Sequence, residues 1–296
     1  MTYCDLCPRR CGRRPGFCGA GDKPRVFRWG LHFGEEPPLT GERGSGCVFF
    51  SRCTMKCVYC QNSPWSWRGE GRDMTIEELT GIFRTLAAGD KAENWNLVSP
   101  TPYLPFIREA LLPLKKSRID LPCVWNSSGY ERTETLEEYA ELCDTALFDL
   151  RYSRSETAQK FSGAADYVEV ARKSVKWAWN RKGFRGSWPL IVRVLVLPGH
   201  AEEAVENLQW LKEELSDEIP VSLMSQYTPT YKAAAMPPLN RSISEEEYRM
   251  VTEAAADLGF ENGWTQAFEA ADPAIALLGD NMPPEHGKVC DSRGHR

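Results

Sequence analysis

The stretch SRCTMKCVYCQN, Ser51 to Asn62, carries Cys53, Cys57 and Cys60 in C-x3-C-x2-C spacing. Thiolates are soft ligands that suit iron–sulfur clusters. Three cysteines on one tight loop can hold three irons of a 4Fe–4S cubane and leave the last with open coordination. An open position on a metal usually marks a catalytic rather than a structural site. A zinc ion completed by a distant cysteine, or three unrelated buried thiols, would use the same residues for structure alone.

A second set, CDLCPRRCGRRPGFC, places Cys4, Cys7, Cys11 and Cys18 within fifteen residues. Four thiolates this close point to a metal knuckle. The spacing C-x2-C-x3-C-x6-C matches neither a zinc ribbon, with two separated C-x2-C pairs, nor the ferredoxin run that ends in C-P. A structural zinc and an auxiliary 4Fe–4S cluster, carrying electrons or positioning substrate, both fit. The knuckle accounts for the local basic run of Arg9, Arg10, Arg13 and Arg14 better than a nucleic-acid arm does. Cys47, Cys123 and Cys143 lie in apolar contexts and read as core thiols, and Cys290 reads as incidental.

The rest of the composition narrows the class. The chain has 296 residues, 42% hydrophobic, enough for one large core with a small appendage. A formal net charge of −5 argues against nucleic-acid or anionic-membrane partners. The N-terminus has no apolar signal core and no run approaches membrane-spanning length, so the chain reads as cytoplasmic. In a reducing compartment, eleven cysteines favour metal or redox chemistry over disulfides. His32, His200, His286 and His295 form no H-x-x-x-H or H-x-H group, which disfavours a histidine-ligated metal hydrolase.

Elements that would position these cysteines alternate along the chain. Residues 30–46 read as a Gly-, Pro- and Glu-rich loop. Short apolar β-type runs follow at Cys47–Phe50, Asn96–Ser99, Cys123–Asn126, Ala146–Leu150, Ile191–Leu197 and Val221–Met224, with a last one near Trp264. Amphipathic helices fill the gaps: one opened by the capping box Thr75-x-x-Glu78, others near 103–115, 133–143, 156–180 and 201–215, and one capped by Ser244-x-x-Glu247. Repeated βα units imply a parallel sheet flanked by helices, closed as a partial or full barrel or left open and doubly wound. Either closure puts chemistry in the loops at the carboxyl ends of the strands, where the three-cysteine loop lies. The expected divisions are 1–24, a metal-binding knuckle; 25–266, the α/β core; and 267–296, a tail.

C-x3-C-x-aromatic-C after a β-type strand, with Tyr59 as the aromatic, resembles the signature of radical S-adenosylmethionine (SAM) enzymes. GSGCVFFSRCTMKCVYCQN, NLVSPTPY, VWNSSGYE, LFDLRYS, IVRVLVLPG, VSLMSQYTP and NGWTQ follow in order. Together they resemble pyruvate formate-lyase activating-enzyme homologues with an N-terminal cysteine knuckle, from Cys4 to Gln266. The resemblance implies a partial (β/α)6 barrel, with SAM chelated at the open iron. It further implies one-electron cleavage to a 5′-deoxyadenosyl radical that abstracts hydrogen from substrate. A flavodoxin or ferredoxin would be the reductant and a glycyl-radical enzyme the protein substrate.

By the same resemblance, Tyr59 lies against the adenine and Asn62 follows the last cysteine as in activating enzymes. SPTP, Ser99 to Pro102, stands where the family has G-G-E-P, so the Ser99 carbonyl or the Thr101 hydroxyl would receive the SAM amino group. NSSG, with Asn126 and Ser127, resembles the family's D-T-N-G; Asn126 replaces the acid and weakens any cation site. FDLR resembles D-L-K, which makes Asp149 and Arg151 SAM-pocket candidates, or else a plain strand-end ion pair. Arg193, a charge in an apolar strand, needs a partner: a SAM carboxylate or a structural acid. Gln226 ends the next strand and faces the same pocket. Trp65 and Trp67 either wall the cavity, cover the cluster or pack on the surface. A radical SAM enzyme with a different protein, peptide or small-molecule substrate shares all these features. A non-catalytic iron–sulfur or zinc scaffold shares only some.

Overall fold

The computed structural model describes residues 3–183, 185–266 and 268. Strand β1 (Arg25–His32) runs antiparallel to β2 (Ser45–Phe50), and a two-residue strand β3 (Arg72–Asp73) pairs with the other side of β1. From β2 onward every pairing is parallel: β4 (Trp95–Val98), β5 (Cys123–Ser127), β6 (Thr145–Asp149), β7 (Leu190–Leu195), β8 (Val221–Met224) and β9 (Gly263–Thr265). The order is β3-β1-β2-β4-β5-β6-β7-β8-β9. The edges β3 and β9 do not pair with each other among the described residues, so the α/β sheet is a partial barrel.

The strands form where near-continuous apolar sequence can be covered on both faces, the usual state of parallel strands. Trp95, Trp125 and Phe148, on β4, β5 and β6, are fully buried. Two single-turn helices, α1 (Pro37–Thr40) and α2 (Ser63–Ser66), sit in loops. The crossovers carry α3 (Ile76–Arg84), α4 (Leu104–Lys115), α5 (Thr133–Glu138), α6 (Ser155–Ser162), α7 (Tyr167–Trp179), α8 (Ala201–Glu214) and α9 (Glu245–Asp257). Both expected capping boxes are present. Thr75 Oγ1 accepts from the Glu78 N–H at 3.2 Å, and Ser244 Oγ from the Glu247 N–H at 3.1 Å.

Two expectations need correction. The span 30–46 is not all loop, because β1 extends to His32. Its burial alternates strictly along RVFRWGLH, but Arg28 and His32 occupy buried positions while Phe27, Trp29 and Leu31 are only partly buried, so the hydrophobic alternation of a half-buried strand is absent. The segment 156–180 is two helices, since Gly163 adopts a left-handed φ of 61° and ends α6.

The loop after β1 folds back into the amino-terminal end of the barrel. Leu39 of α1 packs against Val124, Leu147 and Ile191 from three successive strands. Beside it, Glu35 and Glu36 meet the inward Arg193 of β7. Arg193 Nη2 lies 2.5 Å from Glu35 Oε2, and Nε lies 2.6 Å from Glu36 Oε1. The N-terminal cysteine segment also packs on the core, through Leu6 and Ala20 and through an Arg132–Asp5 pair at 3.0 Å. Apart from residue 268, the expected tail, including Cys290, lies outside the described residues. Among those residues, no helix is long and apolar enough to cross a membrane.

Burial by itself would raise the Glu35 carboxyl, but Arg193 and His32 more than offset it and hold it at about 2 against an ordinary 4.5. An acid held down in this way stabilises the fold above its unfolded value, and that contribution is lost as pH falls toward 2. Arg193→Met leaves two buried carboxylates unmatched and is expected to cost about 3–5 kcal/mol at pH 7 in urea unfolding. The deficit relative to wild type should narrow as pH falls and the carboxylates protonate. A deficit that stays constant with pH would refute the ion-pair account.

Candidate active site

The loop after β2 brings Cys53, Cys57 and Cys60 to the carboxyl end of the strands and is tied there by its backbone. The Val58 N–H donates to Phe161 O at 2.8 Å, and Val58 O accepts from the Lys232 and Ala233 N–H groups at 3.0 Å. Trp67 Nε1 donates to Cys57 O at 3.2 Å, and the Lys56 and Lys232 ammonium groups lie 4.7 Å from its ring centre. Trp67 therefore braces the loop. Trp65 is a core residue, stacked on Phe27 at 4.3 Å.

Cys57 is the most tightly held sulfur. It accepts from Arg151 Nη1 at 2.9 Å and from Ser162 Oγ at 3.0 Å. Ser162 Oγ lies 2.6 Å from the Tyr152 hydroxyl, which lies 2.6 Å from the Tyr59 hydroxyl. A hydrogen-bonded chain thus runs from Tyr59 to Cys57 and fixes the intervening loop from below. Cys53 Sγ accepts from the Met55 N–H at 3.5 Å, and Cys60 Sγ lies 3.1 Å from Ser66 Oγ. Burial pushes the Cys53 thiol up to about 11 and the Cys60 thiol to about 12. Such sulfurs ionise at neutral pH when a metal cation neutralises them.

Above the loop lies a cavity of about 390 Å³, in the size range that takes one cofactor-sized ligand. Cys53, Cys60, Tyr59 and Asn62 line one side. The carboxyl ends of the parallel strands contribute Ser99 just after β4, Asn126 and Ser127 from β5, Asp149 at the end of β6 with Arg151 beyond it, and Gln226 beyond β8, while Gly34, Glu35, Glu36 and Pro37 come from the loop after β1. Arg151 Nη2 is paired with Asp149 Oδ2 at 2.5 Å while Nη1 reaches Cys57, so one guanidinium joins the cavity wall to the cysteine loop. The Asn62 side-chain oxygen is buried and has no hydrogen-bond partner. Gly129, at φ 73°, lets the β5 end approach β6; a Cβ there would lie 2.6 Å from Asp149 O.

Ser99 is strained. Its φ of 58° is left-handed, which costs of order 1–2 kcal/mol for a residue with a side chain. The Ser99 N–H donates to Asn126 O at 2.8 Å and holds the turn against the next strand. Thr101 does not reach the main cavity. Its hydroxyl donates to Glu131 Oε1 at 2.7 Å, and it lines the small cavity beside Cys53 instead. Arg193 lines the floor of the cavity, but Glu35 and Glu36 already match its charge, and a SAM carboxylate is not needed to explain it.

Several residues escaped the sequence reading. Tyr152 and Ser162 support Cys57, yet a serine at a helix end carries no signal of that task. Glu131 is buried behind Cys53 across a water-sized cavity of about 10 Å³ that both residues line. His32, Glu35 and Cys47 place their donor atoms within 4.8 Å of one another. In that group Glu35 already pairs with Arg193, which supplies the positive charge an ion would bring.

The profile of the Radical SAM superfamily matches residues 47–211, more than half of the chain. The chain belongs to the radical SAM superfamily. The matched segment begins in β2 and contains the cysteine loop, β4 to β7 and most of α8. Radical SAM enzymes use a 4Fe–4S cluster, SAM and a reductant, and the first two are expected here. The sequence is similar to an uncharacterized protein of Methanocaldococcus jannaschii, 29% identical over 267 residues, covering 85% of this chain and 74% of that protein. It is also 24% identical over 169 residues to the pyruvate formate-lyase 1-activating enzyme of Escherichia coli, covering 53% of this chain and 62% of that enzyme. Among solved structures, the chain is similar to Streptococcus suis SuiB bound to S-adenosylmethionine, with a TM-score of 0.49 and 16% identity, covering 76% of this chain and 51% of SuiB. Native anSMEcpe with bound AdoMet gives 0.48 and 14%, covering 71% of this chain and 59% of that one.

Burial raises the Glu131 carboxyl from 4.5 to about 7. A buried acid of this kind destabilises the fold as pH rises through that window, because the folded state holds its proton longer than the unfolded chain. Glu131→Gln is expected to raise stability at pH 8 by up to about 3 kcal/mol and to leave it unchanged at pH 4. Equal effects at both pH values would show that the carboxyl is not protonated in the fold.

Proposed function

We propose that this chain activates a glycyl-radical enzyme: it cleaves SAM reductively and removes a hydrogen atom from a glycine of a partner protein. The observation that carries this reading is the similarity to the E. coli pyruvate formate-lyase 1-activating enzyme over 169 residues. The cavity supports it. One cofactor-sized ligand fills about 390 Å³, which leaves the substrate to enter from the open side as a side chain or backbone segment.

In this reading Cys53, Cys57 and Cys60 hold the cluster, residues 25–266 form the catalytic core, and residues 1–24 form a separate metal-binding unit. A 4Fe–4S cluster with SAM on its open iron supplies, when bound, the 5′-deoxyadenosyl radical. The fit rests on Cys53 and Cys60 in the cavity lining, Cys57 held by Arg151 and Ser162, and a buried, unpaired Asn62 oxygen. Tyr59 presents its ring to the ligand while Tyr152 holds its hydroxyl. Ser99, through its strained backbone, takes the place of the family's G-G-E-P contact. Asn126, Ser127, Asp149, Arg151 and Gln226 position the ligand and exclude water. Arg193 holds the cavity floor. A low-potential flavodoxin or ferredoxin supplies the electron.

Anaerobically reconstituted protein with dithionite and SAM should release 5′-deoxyadenosine, and Cys57→Ala should abolish the release. Ser162→Ala should keep the fold but reduce cluster retention against a chelator, or activity, by about ten- to a hundredfold. Incubation with a glycyl-radical enzyme should give a glycine-centred doublet in electron paramagnetic resonance. Deoxyadenosine without that doublet, across a panel of such enzymes, would move the substrate to another protein, peptide or small molecule.

A further inference from the structure

The cysteine loop has two faces. Cys53, Tyr59 and Cys60 line the cavity, whereas Lys56 and Cys57 do not. The Lys56 ammonium lies 4.7 Å from the ring centre of Trp67 and 5.7 Å from that of Phe17, and neither ring lines the cavity. Trp67 reaches the loop from this outer side, since its Nε1 donates to Cys57 O. Arg9 adds a third cation, 4.0 Å over Phe17, and donates to Thr54 O at 3.3 Å.

The segment after β8 straps the same loop. Gln61 Nε2 donates to Gln226 O at 3.1 Å, Thr230 Oγ1 to Tyr59 O at 3.3 Å, and the Lys232 and Ala233 N–H groups to Val58 O. The strap brings Tyr231 and Lys232 to the surface. The Tyr231 ring lies 5.1 Å from that of Trp67, centre to centre; Tyr231 is 38% exposed and Phe17 is 42% exposed. Tyr231 also has a left-handed φ of 54°, which costs of order 1–2 kcal/mol. Strained backbone of this kind clusters at contact and ligand sites.

The charge on this face is unmatched from within. The Lys232 ammonium also lies 4.7 Å from the Trp67 ring centre, so two ammonium groups share one indole. Among the described residues, neither forms an ion pair with a carboxylate. This cationic spot stands on a chain whose formal net charge is −5. A cation–π contact at an exposed site is worth only about 0.5–1 kcal/mol, which leaves both charges available to an outside anion. Exposed aromatic residues at the centre and charge at the rim are the usual make-up of a protein–protein contact.

We propose that Phe17, Lys56, Trp67, Tyr231 and Lys232 form the docking face for the acidic surface of a one-electron donor protein. The use of the electron rests on the proposed reductive cleavage of SAM; the docking does not. The donor gives up one electron, which passes to the cluster of the loop and is consumed as the SAM sulfonium bond breaks. No proton or heavy atom crosses the contact. The substrate side of the loop is the cavity, so donor and substrate reach opposite faces and bind without competing. Rim charges act chiefly on the association rate and its salt dependence.

Flavodoxin and ferredoxin are the probes. At least one of them, oxidised, should bind the anaerobically reconstituted holoenzyme, and its affinity should fall about tenfold between roughly 0.05 and 0.5 M salt. Lys232 holds the loop through its backbone, which substitution leaves in place. Lys232→Glu should weaken that binding about tenfold and slow 5′-deoxyadenosine formation driven by the reduced donor by a similar factor. Lys232→Arg should keep both. With dithionite, which needs no docking face, all three proteins should run at one rate. Binding of neither probe, binding indifferent to salt, or a Lys232→Glu variant that matches wild type would overturn the docking face. A variant equally slow with dithionite would also overturn it, because Lys232 would then act on the cysteine loop itself. Wild type that binds the donor through Lys232 yet makes no 5′-deoxyadenosine would uphold the face and overturn the SAM chemistry.

Discussion

Arg193 carries a positive charge into the interior of the barrel, where an unmatched ion costs several kcal/mol. The amino-terminal end of the fold is arranged around that charge. Glu35 and Glu36 reach it from the loop after β1, and Leu39 behind them seals the floor against Val124, Leu147 and Ile191. Because the floor is closed from within, the cavity opens toward the carboxyl ends of the strands. That is the end at which the cysteine loop, Ser99, Asn126 and Asp149 converge. The antiparallel β1 thus does more than border the sheet: it delivers the residues that close one end and leave the other available for chemistry.

At the open end, a second matched charge fixes the reactive loop. Arg151 spans Asp149 and Cys57, and the Tyr59–Tyr152–Ser162 hydrogen-bond chain approaches the same sulfur from beneath. Both arms come from the segment after β6, so the spacing between β6 and α6 governs where Cys57 sits. Preorganisation of this kind suits the role proposed for the cysteine loop, holding a cluster and a cofactor in register. The strain at Ser99 fits the same pattern, since sparsely populated backbone conformations persist where surrounding bonds hold them.

Most of the barrel was legible before any coordinates, because its signals are local. The parallel strands are apolar runs, and the crossover helices have amphipathic faces and, at Thr75 and Ser244, capping boxes. What stayed hidden was nonlocal or weakly patterned. β1 carries a glycine and buries Arg28 and His32, and its role depends on a floor formed by β5, β6 and β7, far along the chain. Gly163 splits a continuous amphipathic pattern through a backbone angle that composition does not announce. Thr101 lies outside the main cavity, and its hydroxyl donates to Glu131, thirty residues away.

By itself the sequence determined the superfamily, the alternation of strands and helices, and the loop on which the cysteines lie. Each of these depends on residue types at short, regular spacings. Only the tertiary structure decided which charges neutralise which. It turned Arg193 from a ligand-binding candidate into the keystone of the floor. It brought Ser162 and Tyr152 to Cys57, and it set the N-terminal cysteine segment against the loop of Cys53, Cys57 and Cys60 through Arg9 and Thr54. Partners in a folded chain are selected by distance in space, and a linear spacing holds no record of that distance until the sheet has closed around it.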